Sequence, residues 1–256
     1  MSRRGFTLVE LLVGLLLASL VATVLTRLML VQGRLATRFA ARAAALESIT
    51  QAHDWLTTEL EPGGATGGTS DLLAIAGDSL VYRAWRGAGL ACRVAAGEVR
   101  VLRERLDGWR APQPGRDSLA LLLPGDSTHS PTWLRLPVLS VNSSSCGGRP
   151  ALAIATSPLS PALGSPPYVP VRVYEIALAK LYRSLGEWWL GARSVSAGEG
   201  LQPVTGPYQP GGVRFQFRDR SGVPVIAADS AVSVEFELRP VQAVAARWRM
   251  LRRNAP

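Results

Sequence analysis

Glu10 is the only acidic residue among the first 46 residues, and it lies at the edge of an apolar segment. Residues 11–26 carry no charge and consist mainly of Leu, Val, Ala and Gly. A carboxylate within a bilayer costs on the order of 2.5–3.5 kcal/mol on insertion scales. A nearby ammonium, such as the N-terminus that an upstream backbone cleavage would create, recovers that cost. Stabilisation by the helix dipole would also make the carboxylate tolerable, but it does not explain why an apolar run begins with one.

The two histidines and the other carboxylates form no catalytic or metal-binding pattern. His53 lies on the apolar stripe of a helix and is predicted to be a satisfied core residue. His129 lies in a loop rich in Ser, Thr and Pro, with no cysteine or carboxylate cluster at metal-ligand spacing. No nucleophile elbow, P-loop or HExxH motif occurs. The carboxylates of the last predicted hairpin do not follow the oxygen-ligand loop of a calcium site: Asp219, Asp229, Glu235 and Glu237. We therefore predict no enzymatic activity, no metal and no cofactor.

The apolar segment has the length of a membrane span. A helix over residues 6–26 would extend roughly 31 Å, close to the hydrocarbon thickness of about 30 Å. A secretory signal peptide would need a shorter apolar region and a small-residue cleavage site. The first such site is at residues 41–43, well past the apolar run. A plain single-pass anchor would explain neither the Gly5-Phe6 pair nor Glu10.

Residues 5–10, Gly-Phe-Thr-Leu-Val-Glu, follow two arginines and resemble the prepilin signature of type IV pilins and type II secretion pseudopilins. The resemblance implies that a prepilin peptidase cuts between Gly5 and Phe6 and that Phe6 is then N-methylated. It also implies an assembly role for Glu10, whose carboxylate would pair with the N-terminal amine of a neighbouring subunit. The detailed resemblance covers about the first sixty residues.

One long helix is predicted to end at about Glu61, since residues 6–61 contain no proline and Pro62-Gly63-Gly64 follows. Beyond the membrane segment, apolar and aromatic residues recur at three, four or seven positions and form one stripe: Leu35, Phe39, Leu46, Ile49, His53, Leu56 and Leu60. Four segments follow: a leader (1–5), a transmembrane helix (6–31), the periplasmic half of the N-terminal helix (32–61) and a β-rich head (62–256).

The head consists of predicted short strands separated by turns. Residues 213–218 and 231–238 alternate between apolar and polar, and a hairpin is predicted around Ala95-Ala96-Gly97. Residues 142–149, with three serines and two glycines, are predicted to be a loop. The fold class is α+β: a long N-terminal helix, transmembrane in its first half, packed on a mainly antiparallel sheet in a pilin-like fold. Residues 181–183, 201–204 and 212–215, followed by a turn and a last strand, resemble the C-terminal half of J-type minor pseudopilins and W-type minor pilins.

Cys92 and Cys146 are the only cysteines. In an oxidising periplasm the pair is predicted to form a disulfide, whereas in the cytosol two unrelated buried thiols would be expected. A bridge of this loop length would stabilise the head by roughly 4 kcal/mol in the loop-entropy model.

The formal net charge of +9 is compatible with binding to nucleic acid or an anionic surface. The arginines are spread over many segments, however, and six head tryptophans, which could stack on nucleobases, are more commonly used in packing: Trp85, Trp109, Trp133, Trp188, Trp189 and Trp248. Nucleic acid is therefore the less favoured partner.

The sequence predicts a minor pilin or pseudopilin that initiates or caps a filament. The K-type tip pseudopilin typically lacks this glutamate, so Glu10 argues against that type. Major pilins commonly have proline at the position of Arg27, so this residue favours a minor subunit. The implied partners are the prepilin peptidase, other minor and major (pseudo)pilins, the inner-membrane assembly platform and the lipid bilayer. The resemblance places the head in the periplasm, although the arginines flanking the span alone would favour a cytoplasmic head. The alternatives are a DNA-binding competence pseudopilin and a membrane-anchored extracytoplasmic domain that never polymerises.

Overall fold

A computed structural model describes residues 7–60, 65–66, 69–108, 110–123, 131–158 and 168–251 of the chain. It contains one long helix, α1 (Leu8–Leu60), followed by β-strands. The chain divides into two compact units, residues 1–47 and residues 48–256. The second unit includes the last turns of α1 and is called the head below.

The strands of the described part of the head are β1 (Ala65–Thr66), β2 (Thr69–Ser70), β3 (Leu72–Ile75), β4 (Ser79–Ala95), β5 (Glu98–Leu102), β6 (Asp107–Gly108), β7 (Ser118–Leu123), β8 (Thr132–Pro137), β9 (Ser140–Cys146), β10 (Arg149–Ala155), β11 (Val169–Ser184), β12 (Glu187–Ser194), β13 (Gln202–Arg218), β14 (Ser233–Pro240) and β15 (Ala246–Leu251). Two short 3-10 helices, Arg103–Arg105 and Ala228–Ser230, lie between strands.

All but β1 and β2 belong to one antiparallel sheet. Its main path runs β15-β14-β13-β12-β11-β4-β5-β10-β9, while β3 and β6 pair with β4, and β7 pairs with both β11 and β8. The predicted α+β class is confirmed, because the end of α1 packs on this sheet. The hairpin predicted around residues 95–97 is also confirmed, since Ala95 pairs with Glu98.

The end of α1 buries a narrow face with helical spacing: Ser48, Ala52, Leu56, Glu59 and Leu60. The hydroxyl of Ser48 lies 2.6 Å from that of Thr205 on β13, and both contact the hydroxyl of Tyr208. The predicted core position of His53 is wrong. Its side chain is 48% exposed, and its ring packs against Trp248 with the centroids 5.2 Å apart. The buried face passes through Ala52 and Leu56, so His53 lies at its margin.

The first hydrophobic core lies between the end of α1 and one part of the sheet. Leu56 and Leu60 pack there with Tyr82 of β4, Leu181 of β11 and Phe236 of β14. The predicted alternation of the last long strands is confirmed, because the apolar residues of β13 and β14 are buried in this core: Val213, Phe215, Phe217, Val234, Phe236 and Leu238.

A second core lies among the other ends of the same long strands. It contains Val171 of β11 and Ala91 of β4, together with Val101, Leu121 and Ile154 from neighbouring strands. β4 and β11 therefore run through both cores. Their pairing is irregular between the two, where Val173 pairs with Gly87 and Tyr174 with Trp85, which leaves Arg86 as the extra residue of a β-bulge.

Residues 142–149 form a hairpin, and the predicted loop is wrong. The serines of β9 pair with β10, and Gly147 and Gly148 have φ angles of 57° and 79°. Two consecutive positive φ angles define the tight turn that two-residue hairpins favour. Cys146, next to this turn, lies close to Cys92 of β4, and the structure joins them in a disulfide with the Cα atoms 6.4 Å apart.

Candidate functional site

The first turn of α1 contains a reciprocal set of hydrogen bonds between Thr7 and Glu10. The backbone N–H and the hydroxyl of Thr7 both donate to Glu10 Oε2, at 3.0 Å each. In return, the backbone N–H of Glu10 donates to Thr7 Oγ1 at 3.3 Å. This arrangement is a capping box, in which a hydroxyl residue at the N-cap and a glutamate three residues later satisfy the unpaired N–H groups of the helix start.

The capping box holds the Glu10 carboxylate at the positive end of the helix dipole. The stabilisation of Glu10 at the helix start, which the sequence suggested, therefore has a specific geometry in which Thr7 is the hydrogen-bond partner. Sequence reasoning missed the role of Thr7, although the spacing Thr-x-x-Glu before an apolar run is the signal for it. Gly5 and Phe6, the predicted cleavage and methylation residues, lie outside the described residues.

The segment that follows Glu10 presents apolar side chains on every face. Leu11, Leu16, Leu20 and Met29 are among its many exposed apolar residues. By length and composition α1 is able to cross a membrane, with a mean hydropathy of 2.5 in its most apolar stretch of 18 residues. It is the one such helix within the described residues. An apolar surface of this extent needs a lipid or protein environment.

A second group of charged residues is buried where α1 meets the bulge in β4. Arg86 donates from Nη1 to Glu59 Oε1 of α1 at 2.9 Å, and from Nε to Glu175 Oε1 of β11 at 2.6 Å. Glu59 also accepts a bond from the Tyr82 hydroxyl at 3.1 Å. The side chains of Glu59 and Glu175 are only 4% and 3% exposed. A buried charge is costly unless it is paired. Glu59 and Glu175 therefore both depend on their bonds from Arg86 to remain buried.

Glu175 connects the same group to the second half of the head. Arg116 Nε donates to Glu175 Oε2 at 2.6 Å, and its Nη1 donates to Glu199. Arg110, in the same loop, forms a two-pronged contact with Asp117 and lies 3.9 Å from Glu175. We call Glu59, Arg86, Glu175 and Arg116 the ion cluster. It ties α1, β4, β11 and the loop before β7 together.

The environment of the ion cluster shifts several pKa values. Burial alone would raise the pKa of Glu175, but hydrogen bonds from Ser194, Arg86 and Arg116 outweigh it and lower that pKa. Burial opposes the charge of Arg86, yet its bonds to Glu59 and Glu175 raise its pKa above the ordinary value. Burial, followed by the charge of Glu59, raises the pKa of Tyr82. Glu175, Arg86 and Arg116 are therefore charged at neutral pH, with Tyr82 as a neutral donor.

The described residues contain no group of three or more His, Cys, Asp or Glu side chains able to hold a metal ion. Two of the head tryptophans contact an arginine of the same chain, since the guanidinium of Arg172 lies 5.1 Å from the ring of Trp85 and 5.3 Å from that of Trp133. His129 and Trp109 lie outside the part of the chain that the structure describes.

Comparison with known proteins identifies the N-terminal segment. Residues 1–26 match the family model described as the prokaryotic N-terminal methylation motif. No curated protein and no solved structure matches the chain. The match confirms the resemblance to type IV pilins and pseudopilins, and the matched segment includes Gly5, Phe6 and Glu10. The motif implies processing by a prepilin peptidase and assembly with other pilins, and with the apolar helix it indicates a membrane-anchored pilin or pseudopilin subunit.

Proposed function

We propose that the chain is a minor pilin or pseudopilin that initiates or caps a type II secretion pseudopilus or a type IV pilus. It is a structural subunit and not an enzyme. It crosses the inner membrane once, with its head in the periplasm, and then becomes part of the filament. Its partners are the prepilin peptidase, other (pseudo)pilins and the inner-membrane assembly platform.

The observation that carries this proposal is Glu10 at the start of a membrane-length helix, within a matched methylation motif. A charge at the centre of a membrane helix costs on the order of 2.5–3.5 kcal/mol, and a helix that retains a carboxylate near its start gains from a state in which an ammonium is near. After cleavage that ammonium belongs to Phe6, of the same chain or of the next subunit. Pairing between subunits stabilises only the assembled filament, which makes Glu10 an assembly residue.

Two further observations favour a minor subunit over a major one. The head has two hydrophobic cores and is built on fifteen described strands, which is a large head for a repeating filament subunit. Arg27 also stands in α1 where major pilins commonly carry proline. The alternatives remain a DNA-binding competence pseudopilin and an anchored domain that never polymerises.

We expect cleavage between Gly5 and Phe6 in cells with an active prepilin peptidase. Intact-mass analysis should show a chain that starts at Phe6 and carries one methyl group. Gly5→Val should block cleavage, because the added side chain obstructs the approach of the peptidase to the backbone. Gly14→Val is the matched control, since a Cβ at Gly14 meets no atom within 4 Å, and it should be cleaved normally. A chain that still starts at Met1 would refute the processing step.

We also expect the chain in sheared filaments at far lower abundance than the major subunit. In vivo crosslinking should join it to other (pseudo)pilins, and deletion of its gene should reduce secretion or piliation. An anchored domain would stay in the membrane fraction without such crosslinks. A competence subunit would instead lose DNA uptake on deletion, and its head would bind DNA with a steep dependence on salt concentration.

A further inference from the structure

The last described strand, β15, forms one end of the main sheet. Within the described residues it pairs with β14 alone, with Ala246 opposite Leu238 and Leu251 opposite Ser233. Its other side therefore presents backbone N–H and C=O groups that no described strand pairs with. A strand edge of this kind is a template for the addition of another extended chain.

The outer face of this part of the sheet is rich in arginine. On three neighbouring strands, Arg214 pairs with Glu237 and Glu237 with Arg247. One step along, Gln216 pairs with Glu235 and Glu235 with Arg249. Arg218 and Arg239 bond to the same two glutamates. Five arginines and two glutamates thus share the face, and a groove of about 630 Å³ opens on it beside Arg214 and Arg247.

The inner face of β15 is apolar and aromatic. Trp248 stacks on Phe236 with ring centroids 5.3 Å apart, and Met250 packs against the first core. His53, from the end of α1, covers Trp248 on the same side and is itself half exposed. A strand added at this edge would therefore place alternate side chains beside Arg247 and Arg249 on one face, and beside Trp248 and His53 on the other.

We propose that the edge of β15 binds an extended segment of a partner protein in which acidic and apolar residues alternate. The acidic residues face Arg247 and Arg249, the apolar residues face Trp248, and backbone hydrogen bonds join the two strands. A second copy of this chain is a poor occupant, because paired edges would bring arginines opposite arginines. Nucleic acid would use the charge of Arg247 and Arg249 but leave the backbone edge unpaired, so the geometry favours a polypeptide.

The test uses the full chain in detergent micelles and a fluorescent heptapeptide of alternating glutamate and valine. Fluorescence anisotropy should show that this peptide binds about tenfold tighter than its lysine–valine counterpart. A tenfold difference in affinity is about 1.4 kcal/mol, which two or three cross-strand charge pairs are able to supply. The same peptide with N-methyl groups at alternate residues should lose binding by a similar factor. Hydrogen exchange should slow at residues 246–251 when the peptide is bound.

Charge reversal at the edge provides the second arm. The double variant Arg247→Glu, Arg249→Glu should exchange the preference, binding the lysine peptide instead of the glutamate peptide. The matched control is Arg93→Glu with Arg183→Glu, two exposed arginines elsewhere in the head, and it should bind as the unmodified chain does. Equal binding of the N-methylated peptide, or an oligonucleotide that binds tighter and protects the same residues, would overturn strand addition. These results are independent of filament assembly, so they can fail while the proposed function stands.

Discussion

Glu10→Ala should leave insertion, cleavage and head folding intact and lower the amount of the chain in filaments by about 50-fold. That factor corresponds to about 2.3 kcal/mol, slightly less than the 2.5–3.5 kcal/mol that a charge costs at the centre of a membrane helix. Glu10→Asp should be intermediate, because the shorter side chain reaches less far. The measurement is complementation of secretion or piliation, combined with quantitative crosslinking to partner pilins.

Thr7→Ala is the control that separates the two roles open to Glu10. It removes the hydroxyl of the capping box but keeps the carboxylate, and the loss of a cap costs about 1 kcal/mol. We expect a drop in incorporation of no more than about fivefold. If Glu10 acts only within the cap, the two variants will behave alike. If Glu10→Ala crosslinks and complements like the unmodified chain, Glu10 has no assembly role.

Glu175→Ala should destabilise the head by about 3–5 kcal/mol, the typical cost of removing one partner from a buried ion pair. Without this carboxylate, Arg86 loses the acceptor of its Nε–H, and Arg116 retains the more exposed Glu199. Denaturant unfolding of the detergent-solubilised chain measures the loss. Glu98→Ala is the matched control, because the Glu98–Arg100 pair is 39% and 29% exposed, and it should cost under about 1 kcal/mol.

The same carboxylate makes stability depend on pH in the acid range. The folded pKa of Glu175 is below its ordinary value of 4.5, so its contribution is complete above pH 4.5 and is lost as pH falls through the lowered folded value. Stability of the unmodified chain should therefore decrease on acidification below 4.5, and the Glu175→Ala chain should show a shallower decrease. Equal slopes, or a cost no larger than that of Glu98→Ala, would show that the cluster contributes little.

Local patterns predicted the helix and the alternating strands because both depend on residues close in sequence. The uninterrupted apolar run, the break after residue 60 and the alternation of Val213, Phe215 and Phe217 were sufficient. The same approach failed for β9, whose serines pair only because β10 lies beside them. The arginine-rich segment of residues 246–251 forms strand β15 for a similar reason. It pairs with β14, and its Trp248 packs against the first core.

The ion cluster had no sequence signal at all. Glu59 and Arg86 are 27 residues apart, and Arg86 and Glu175 are 89 apart. No spacing rule connects such positions, and each residue alone is typical of a solvated surface. Their meeting depends on the bulge at Arg86 and on the pairing of β4 with β11. His53 was misplaced for a smaller reason, because a shift of one residue around a helix moves a side chain by about 100°.

The two strands that both cores share have a mechanical consequence. A pull on the end of α1 is transmitted through Glu59 and Arg86 to β4, and through Glu175 to β11. Because residues 169–180 of β11 pair antiparallel with residues 79–91 of β4, tension that separates the two strands must break backbone hydrogen bonds alongside both cores. For a pull in this direction we therefore expect the two cores to yield together, in one step.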